Sequence, residues 1–160
     1  MVRHIRIFAA ALLLLIFPCL CAAEFTVDPS YVRVTGIKPG RAAKLLNDVF
    51  QKKYFIGINN LGGETSGYRI DIVSCKEYGI EPHPGYEDIP DVSWIKIKKP
   101  VFKVKAGELK KIRDISIKIP KTSGQAGKNY QAIIKVIGEA SKYQPVNIEV
   151  ILPLWIAVSK

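Results

Sequence analysis

The sequence predicts an all-β protein whose strands form two packed antiparallel sheets in one domain. After residue 24, most apolar segments alternate apolar and polar residues with a period of two, which is typical of strands with one buried face. Turn-forming glycine, proline and asparagine residues separate these segments. About seven or eight short strands spaced in this way indicate a sandwich of two sheets.

The amino terminus, residues 1–23, has the three parts of a secretory signal peptide. Two arginines precede an apolar run, and small residues follow it up to Ala23. The run is shorter than the roughly 20 apolar residues that span a bilayer. We therefore expect cleavage after Ala23 and a secreted or periplasmic domain of residues 24–160. A lipid anchor on Cys19 or Cys21 is the alternative, although neither cysteine follows the small residues that such a signal uses.

Removal of this segment changes the charge and the cysteine content. It takes away two arginines and no acid, so the net charge falls from +10 to +8, and one of the three cysteines remains. The 137 residues from 24 to 160 are enough for one domain with a sizeable core. Cys75 is then either a small buried residue or a thiol that reacts or pairs with another molecule.

The first three predicted strands alternate clearly. They lie at 25–36, 52–60 and 67–75. In the first strand, Val32 and Val34 share one side, and the Lys-Pro-Gly sequence that ends at Gly40 is a turn signal. In the third strand, Ile70 and Ile72 share the inward side.

Five further strands complete the prediction. They lie at 92–99, 100–108, 109–120, 128–140 and 145–160. Ile115, Ile117 and Ile119 recur at every second position and therefore share one buried face. The last strand is apolar and contains Pro153, so we expect it to seal the sandwich with a bend at the proline.

Residues 40–51 break the alternation. Ala42, Leu45, Leu46 and Val49 recur at helical spacing, but the apolar run is short. Periodicity alone does not separate a short helix from a strand that is entered through an irregular bend. The sequence leaves both interpretations open.

A glycine-rich stretch at 57–71 invites comparison with a phosphate-binding loop. Such a loop needs a strand before it and a helix after it, with the helix amino terminus facing the anion. Here the following segment alternates like another strand, and no lysine follows the glycines directly. We interpret the stretch as a connection between two strands, with its asparagines and glycines at positive φ.

The later part of the chain contains the segments PVFKVKAGELKKIRDISIKIP and YQAIIKV, and VDPSYVRV lies near its beginning. The two later segments resemble the second half of an exported bacterial immunoglobulin-like domain of the PapD-like family, which includes the pilus chaperones, and VDPSYVRV resembles its first strand. The resemblance implies an immunoglobulin-like antiparallel β-sandwich. Pilus chaperones have two such domains and bind a subunit carboxyl terminus through an arginine and a lysine. This chain has room for one domain, and its last strand has no lysine before Lys160.

The residue counts disfavour catalysis and metal binding. His83 is the single histidine after residue 23, and it lies between two prolines in an extended loop. Cys75 and His83 lack the further ligands and the spacing of a zinc site. The acids of loop 76–93 lack the alternate spacing of a calcium loop. We therefore expect no enzyme activity, no cofactor and no metal.

Loop 76–93 and the residues around it are the best candidate for a binding surface. The loop is long for a sandwich connection and carries two tyrosines, and such loops are where a rigid scaffold places function. The final strand offers a further aromatic residue, which either packs in the sandwich or is exposed to a partner. The candidate binding residues are Tyr78, His83, Tyr86, Trp94, Lys96, Lys98 and Trp155.

Positive charge is concentrated between residues 96 and 121. Ten lysines and arginines lie in this range, and alternation places many of them on the outward face of one sheet. They either keep the protein soluble or attract an anionic envelope polymer. Nucleic acid is a poor candidate because an exported protein without a recognition motif does not meet it.

Together these observations predict a non-enzymatic exported β-sandwich module with a structural, adhesive or protein-binding role in the cell envelope. Its expected partner is another envelope or surface protein, or an anionic envelope polymer. One alternative is a pilus-chaperone-like protein that caps subunit strands by edge-strand addition, because backbone pairing needs no particular side chain. The other is a polysaccharide-binding module that uses Trp94 and the loop tyrosines.

Overall fold

The computed structural model describes residues 25–44, 46–47, 52–53, 55–122, 124–140, 142 and 145–160. The predicted signal peptide lies outside these residues. Within the described ranges, no helix is both long and apolar enough to cross a membrane. The predicted all-β class is confirmed, because short strands arranged in several sheets make up most of the fold.

The strands are numbered in chain order over the described ranges. They are β1 (Phe25–Asp28), β2 (Val32–Ile37), β3 (Ala42–Lys44), β4 (Leu46–Asn47), β5 (Lys52–Lys53), β6 (Ile56–Asn60), β7 (Ser66–Ser74), β8 (Glu87–Asp88), β9 (Ile95–Ile97), β10 (Val101–Val104), β11 (Leu109–Ile112), β12 (Ile115–Lys118), β13 (Asn129–Gly138) and β14 (Ile148–Val158). A short helix α1 (Cys75–Tyr78) and a 3₁₀ turn (Val92–Trp94) lie between them.

The larger layer of the sandwich is one sheet with the order β10-β7-β13-β14-β2. Strands β7, β13 and β14 pair antiparallel, and β2 runs parallel to β14 along its carboxyl-terminal half. The short strand β8 extends the sheet beside the beginning of β13. We call this layer the large sheet.

The smaller layer consists of two adjoining three-stranded sheets. Their orders are β1-β6-β11 and β3-β12-β9, and β11 and β12 are consecutive pieces of the predicted strand 109–120. We call this layer the small face. The predicted strand 25–36 divides between the layers, because β1 belongs to the small face and β2 to the large sheet. The consecutive predicted strands 92–99 and 100–108 also lie in different layers, since β9 belongs to the small face and β10 to the large sheet. These two crossings tie the layers together.

The segment that the sequence left open, 40–51, contains strands. Lys44 of β3 pairs with Ser116 of β12. If this antiparallel register continued unchanged into β11, residue 48 would lie opposite Ile112, but Ile56 lies there instead. Eight extra residues are therefore inserted, and the short antiparallel pair β4–β5 belongs to this insertion. The remaining residues of 40–51 lie outside the described part of the chain.

The core lies between the layers and is rich in isoleucine and valine. Inward positions of β13 and β14, such as Ile134, Leu154 and Ile156, have no exposed surface. Each such side chain contributes roughly 1.5–3 kcal/mol through burial. At one end of the core, the ring of Phe25 packs edge-on against Tyr68, with 5.2 Å between the ring centroids.

The glycine-rich stretch connects two strands, as the sequence predicted, but glycines at positive φ do not form the bend. The described glycines at positive φ do not include Gly57, Gly62, Gly63 or Gly67, so the expectation of positive φ was wrong for the glycines. Instead, the buried Asn60 side chain donates to the carbonyl oxygens of Glu64 and Val104 and accepts from the Gly62 N–H. The side chain thus supplies the bonds that define the bend.

A candidate binding site on the large sheet

One edge of β14 is open along its amino-terminal half. The Val158 N–H donates to the Lys128 carbonyl oxygen, so Val158 bonds toward β13. The Glu139 N–H donates to the Gly67 carbonyl oxygen, which shows that the odd-numbered residues of β13 bond to β7. The antiparallel ladder therefore directs the even-numbered residues of β14 toward β13 and the odd-numbered ones away from it. Strand β2 covers this outer side only from Leu154 onward. Among the described residues, no strand pairs with the outer side of residues 148–153.

The open edge presents backbone donors and acceptors to solvent. By the same alternation, the N–H and C=O groups of Glu149 and Ile151 and the C=O group of Pro153 point outward. Pro153 has no N–H to donate, so it lies at a position where the missing donor breaks no bond with β13. This placement explains how a proline fits within an eleven-residue strand.

Apolar side chains accompany this edge. Ile148 and Val150 pack against the core but remain half-buried, because the sandwich is not closed on this side. On the outer face, Ile151 is 38% exposed. The edge therefore combines unpaired backbone groups with apolar surface, which is the combination that an added strand uses.

An aromatic cluster lies where the open part of the edge ends. The Trp155 ring is contacted by the rings of Tyr31, His83 and Tyr86, with centroid distances of 5.1, 5.7 and 6.0 Å. Tyr31 directly precedes β2 and is 47% exposed. Since Val32 pairs with Leu154, Tyr31 lies beside the position of Pro153, at the border between the covered and open parts of β14.

A buried glutamine holds the cluster together. The Gln131 side-chain oxygen accepts hydrogen bonds from the backbone N–H of His83, at 2.8 Å, and from Trp155 Nε1, at 3.2 Å. Gln131 lies on the outer face of β13 and yet is only 4% exposed. Its burial follows from the loop after α1, which crosses over this part of the sheet and brings His83 above it.

The loop is fixed at its other end by Asp88. The Asp88 carboxylate accepts from the N–H groups of Cys75 and Lys76 at the start of α1, at 2.7 and 3.0 Å. The Ser74 hydroxyl accepts from the Glu77 N–H, and Gly79 ends the helix at a φ of 84°. Such caps satisfy the free N–H groups of the first turn and need no residue beyond the loop.

The structure brings together three of the seven predicted binding residues, His83, Tyr86 and Trp155. Tyr78 instead packs beside Cys75 and Ile133, and the Lys135 ammonium group lies 5.7 Å from its ring centroid.

The other three predicted residues lie away from this cluster. Trp94 is half-buried, packs edge-on against Tyr130 at 5.8 Å and lies against the core. Lys96 is on β9 of the small face, and the Lys98 backbone N–H donates to Asp114.

Tyr31 and Gln131 are members of the cluster that the sequence analysis did not single out. The pairing of β2 with β14 places Tyr31 next to Trp155. Periodicity does not show which strands pair, so the sequence analysis could not find this contact.

The titratable groups of this region are not arranged for nucleophilic chemistry. Burial, together with the nearby Asp88 carboxylate, raises the pKa of the Cys75 thiol to about 11. The thiol is therefore protonated near neutral pH, and it is fully buried, which is the first of the two interpretations that the sequence allowed. Among the described residues, no group of three His, Cys, Asp or Glu side chains could hold a metal ion.

The fold is similar to PapD-like domains of known structure. PapD-like domain 7 of human CEP192 matches with a TM-score of 0.59 and 8% identity, covering 86% of each chain. The periplasmic chaperone SfaE matches with a TM-score of 0.55 and 9% identity. The CsuC–CsuE chaperone–adhesion subunit structure from Acinetobacter baumannii matches with a TM-score of 0.51 and 19% identity. No protein-family model and no curated protein sequence matches the chain.

The two chaperone matches cover about 85% of this chain but only 58% and 53% of the matched chains. This chain therefore spans a little over half the length of those proteins. At such low identity, the likeness shows the fold and not the function.

Proposed function

From the PapD-like, immunoglobulin-like fold of this chain, we propose that it is an exported, non-enzymatic protein-binding module of the cell envelope. It binds an extended segment of a partner protein as an additional strand along the open edge of β14. The signal-peptide pattern of residues 1–23 supports export to the periplasm or cell surface.

The open edge of β14 is the observation that carries this proposal. Two outward-facing residues with free N–H and C=O groups, Glu149 and Ile151, offer four backbone hydrogen-bonding groups to an incoming strand. Apolar contacts with Val150 and Ile151 add to these bonds. The partner strand stops at Tyr31, because β2 occupies the edge from Leu154 onward.

The aromatic cluster gives this site a means of selecting its partner. Backbone pairing is independent of sequence, so specificity needs side-chain contacts. Tyr31 and Trp155 lie at the end of the open edge, and their rings are 5.1 Å apart. We expect them to contact the side chain of the partner residue that lies nearest to Pro153.

The solved structures support a protein partner by analogy. Two of them describe a chaperone together with a subunit, CsuC with the tip adhesion subunit CsuE, and SafB with the pilin SafA of Salmonella enterica. This chain covers 53% and 55% of the matched chains, so a complete pilus-chaperone role is the narrower form of the proposal. A general strand-binding module needs only the domain that is present.

Polysaccharide binding remains the competing function, but the aromatic residues that could serve it differ from the predicted ones. Trp94 is half-buried and packs edge-on against Tyr130, so an exposed sugar-stacking platform would come from Tyr31, Tyr86 and Trp155. In this cluster the rings contact one another, which leaves less free ring face for a sugar.

The test replaces one edge residue of residues 24–160. Ile151→Pro removes an outward N–H without breaking a bond to β13, and Ile151→Ala removes the side chain but keeps the N–H. The protein is returned to its native envelope and cross-linked, and captured partners are identified by mass spectrometry. We expect Ile151→Ala to retain the partner and Ile151→Pro to lose it. Equal capture by all three proteins would refute strand addition.

Amide hydrogen exchange provides a measurement that needs no partner. In the free protein, Glu149 and Ile151 should exchange faster than Val150 and Leu152, whose N–H groups donate to β13. In the complex, the exchange of Glu149 and Ile151 should slow to the rate of their neighbours. Uniform protection in the free protein would contradict the open edge itself.

A further inference from the structure

The outward side of the small face carries a group of cations that the proposed function does not use. In β6, Ile56 and Ile58 are buried, so the residues between and beside them point outward. The strand registers and side-chain contacts place five basic residues on this outward side, Lys44, Lys96, Lys111, Arg113 and Lys118. Lys44 and Lys96 face each other across Ser116, which separates them by two strand spacings of about 4.8 Å.

These cations are not neutralised by neighbouring acids. The ion pairs of the described residues are Arg69–Asp71, Lys105–Glu108, Lys128–Glu87 and Lys135–Glu149, and none includes a member of the group. The strand registers place the acid Asp28 on this outward side, opposite Gly57. A second acid, Asp114, lies between β11 and β12. The small face therefore has a net positive outward surface.

Two exposed leucines of the small face lie where β6 ends and β11 begins. Leu61 is 55% exposed and Leu109 is 51% exposed. Leu109 pairs with Asn59 on the outward side of β6, and its side chain lies over Gly57, whose added Cβ would be 3.2 Å from Leu109 Cδ1. The half-buried Phe55 ring lies beneath two cations, with Lys111 Nζ at 5.0 Å and Arg113 Cζ at 6.0 Å from its centroid.

We infer that the outward side of the small face docks on an anionic phospholipid bilayer. The cations would meet lipid phosphate groups, while Leu61 and Leu109 would enter the boundary between headgroups and acyl chains. Charge and exposed apolar side chains on the same surface are what peripheral membrane binding uses. A soluble polyanion would engage the cations but would leave both leucines in water.

This inference is independent of the proposed strand addition. The open edge and the aromatic cluster belong to the large sheet, whereas the cations and Leu109 lie on the outward side of the other layer, and Leu61 directly follows β6 of that layer. A protein held on a membrane by the small face would keep the edge of β14 available to a partner.

The test is co-sedimentation of residues 24–160 with vesicles of phosphatidylcholine alone and of phosphatidylcholine mixed with phosphatidylglycerol. We expect binding to the anionic vesicles only, and weakening at salt well above about 0.1 M, where charges more than about 10 Å apart are screened. Lys111→Glu with Arg113→Glu should lower the affinity at least about tenfold, since each basic residue adds about one kcal/mol near an anionic surface.

Two control proteins separate this surface from total charge and from soluble polyanions. Lys76→Glu with Lys103→Glu makes the same charge change on the outer side of the large sheet and should bind nearly as the parent does. Leu61→Ser with Leu109→Ser should weaken vesicle binding but leave dextran sulfate binding unchanged.

Three results would overturn the inference. They are equal loss of binding in both charge variants, binding to neutral vesicles as strong as to anionic ones, and unchanged vesicle binding after loss of both leucines. The last result would identify a polyanion site. Circular dichroism and thermal unfolding of each variant establish that the exposed substitutions leave the fold intact.

Discussion

Gln131 shows how one polar side chain can organise a surface. It is almost fully buried on the outer side of β13, where an unpaired amide would be costly. Its oxygen accepts from the His83 backbone and from the Trp155 ring, so one residue fixes both the loop and the strand that meet in the aromatic cluster.

Replacement of Gln131 by alanine should therefore loosen the loop and lower stability. We expect the free energy of unfolding to fall by about 1–3 kcal/mol, because two part-buried donors lose the acceptor that the buried Gln131 side chain provides. Urea denaturation measures the loss. Asn129→Ala is the matched control, since it removes one exposed bond to Gly85 and should cost no more than about 0.5 kcal/mol. Equal effects of the two substitutions would contradict the role given to Gln131.

Cys75 makes stability dependent on alkaline pH. Its pKa is raised from 9.0 to about 11 in the folded protein, so the folded state keeps the proton where the unfolded state releases it. The contribution is complete below pH 9 and is lost as the pH rises toward 11, up to about 3 kcal/mol. The stability difference between the parent and Cys75→Ala should shrink over this range in urea titrations. A constant difference would show that the thiol does not titrate as described.

At the scale of elements, β13 and β14 illustrate what alternation determines. Inward residues of the pair fill the core, while the outward ones bear the loop, the cluster and the open edge. Gly138, at the end of β13, is an inward position without a side chain, and the Phe25 ring of β1 lies directly over it. The glycine thus lets the first strand pack close to the large sheet.

Gly138→Ala should test this contact between layers. An added Cβ would lie 2.7 Å from Phe25 Cε1, and the ring is 97% buried and cannot move away freely. We expect a loss of about 1–3 kcal/mol from overpacking. Gly63→Ala is the control, because its Cβ would meet nothing within 4 Å and should change stability by less than about 0.5 kcal/mol. Thermal unfolding of both variants supplies the comparison.

Most strands could be predicted from the sequence, but not the short strands β3, β4 and β8, and not the division of the strands between layers. Alternation locates β13 and β14 because both stay in one sheet along their whole length. The chain changes layers within the predicted strand 25–36 and between the predicted strands 92–99 and 100–108, and local periodicity is the same before and after each change. The eight-residue insertion before β6 is likewise visible only from its register with β11 and β12, and not from a pattern in the inserted residues.

The same distinction applies to the candidate site. His83, Tyr86 and Trp155 could be chosen because a long loop and an apolar terminal strand are recognisable in the sequence. Tyr31 and Gln131 join them through pairing of β2 with β14 and through the loop that covers β13, which are long-range contacts. Trp94 was chosen for its residue type, and its contact with Tyr130 depends on how the two layers pack.

At the scale of the whole molecule, the core holds the described fold without an internal disulfide. Cys75 is free and buried, and the other two cysteines precede the predicted cleavage site. The thermal midpoint of residues 24–160 should therefore be the same with and without a reductant in calorimetry. A lower midpoint in the reductant would indicate a disulfide between two molecules, and gel filtration would then show a dimer.

The parallel pairing of β2 with β14 has a mechanical consequence. The chain enters the fold near β2 and leaves it from the end of β14, and these neighbours run in the same direction. Once β1 has peeled away, tension between the two ends would slide the strands lengthwise and strain their hydrogen bonds together, whereas an antiparallel pair of end strands would unzip one bond at a time. A module built in this way resists traction along the chain, and pulling of single molecules would measure its rupture force.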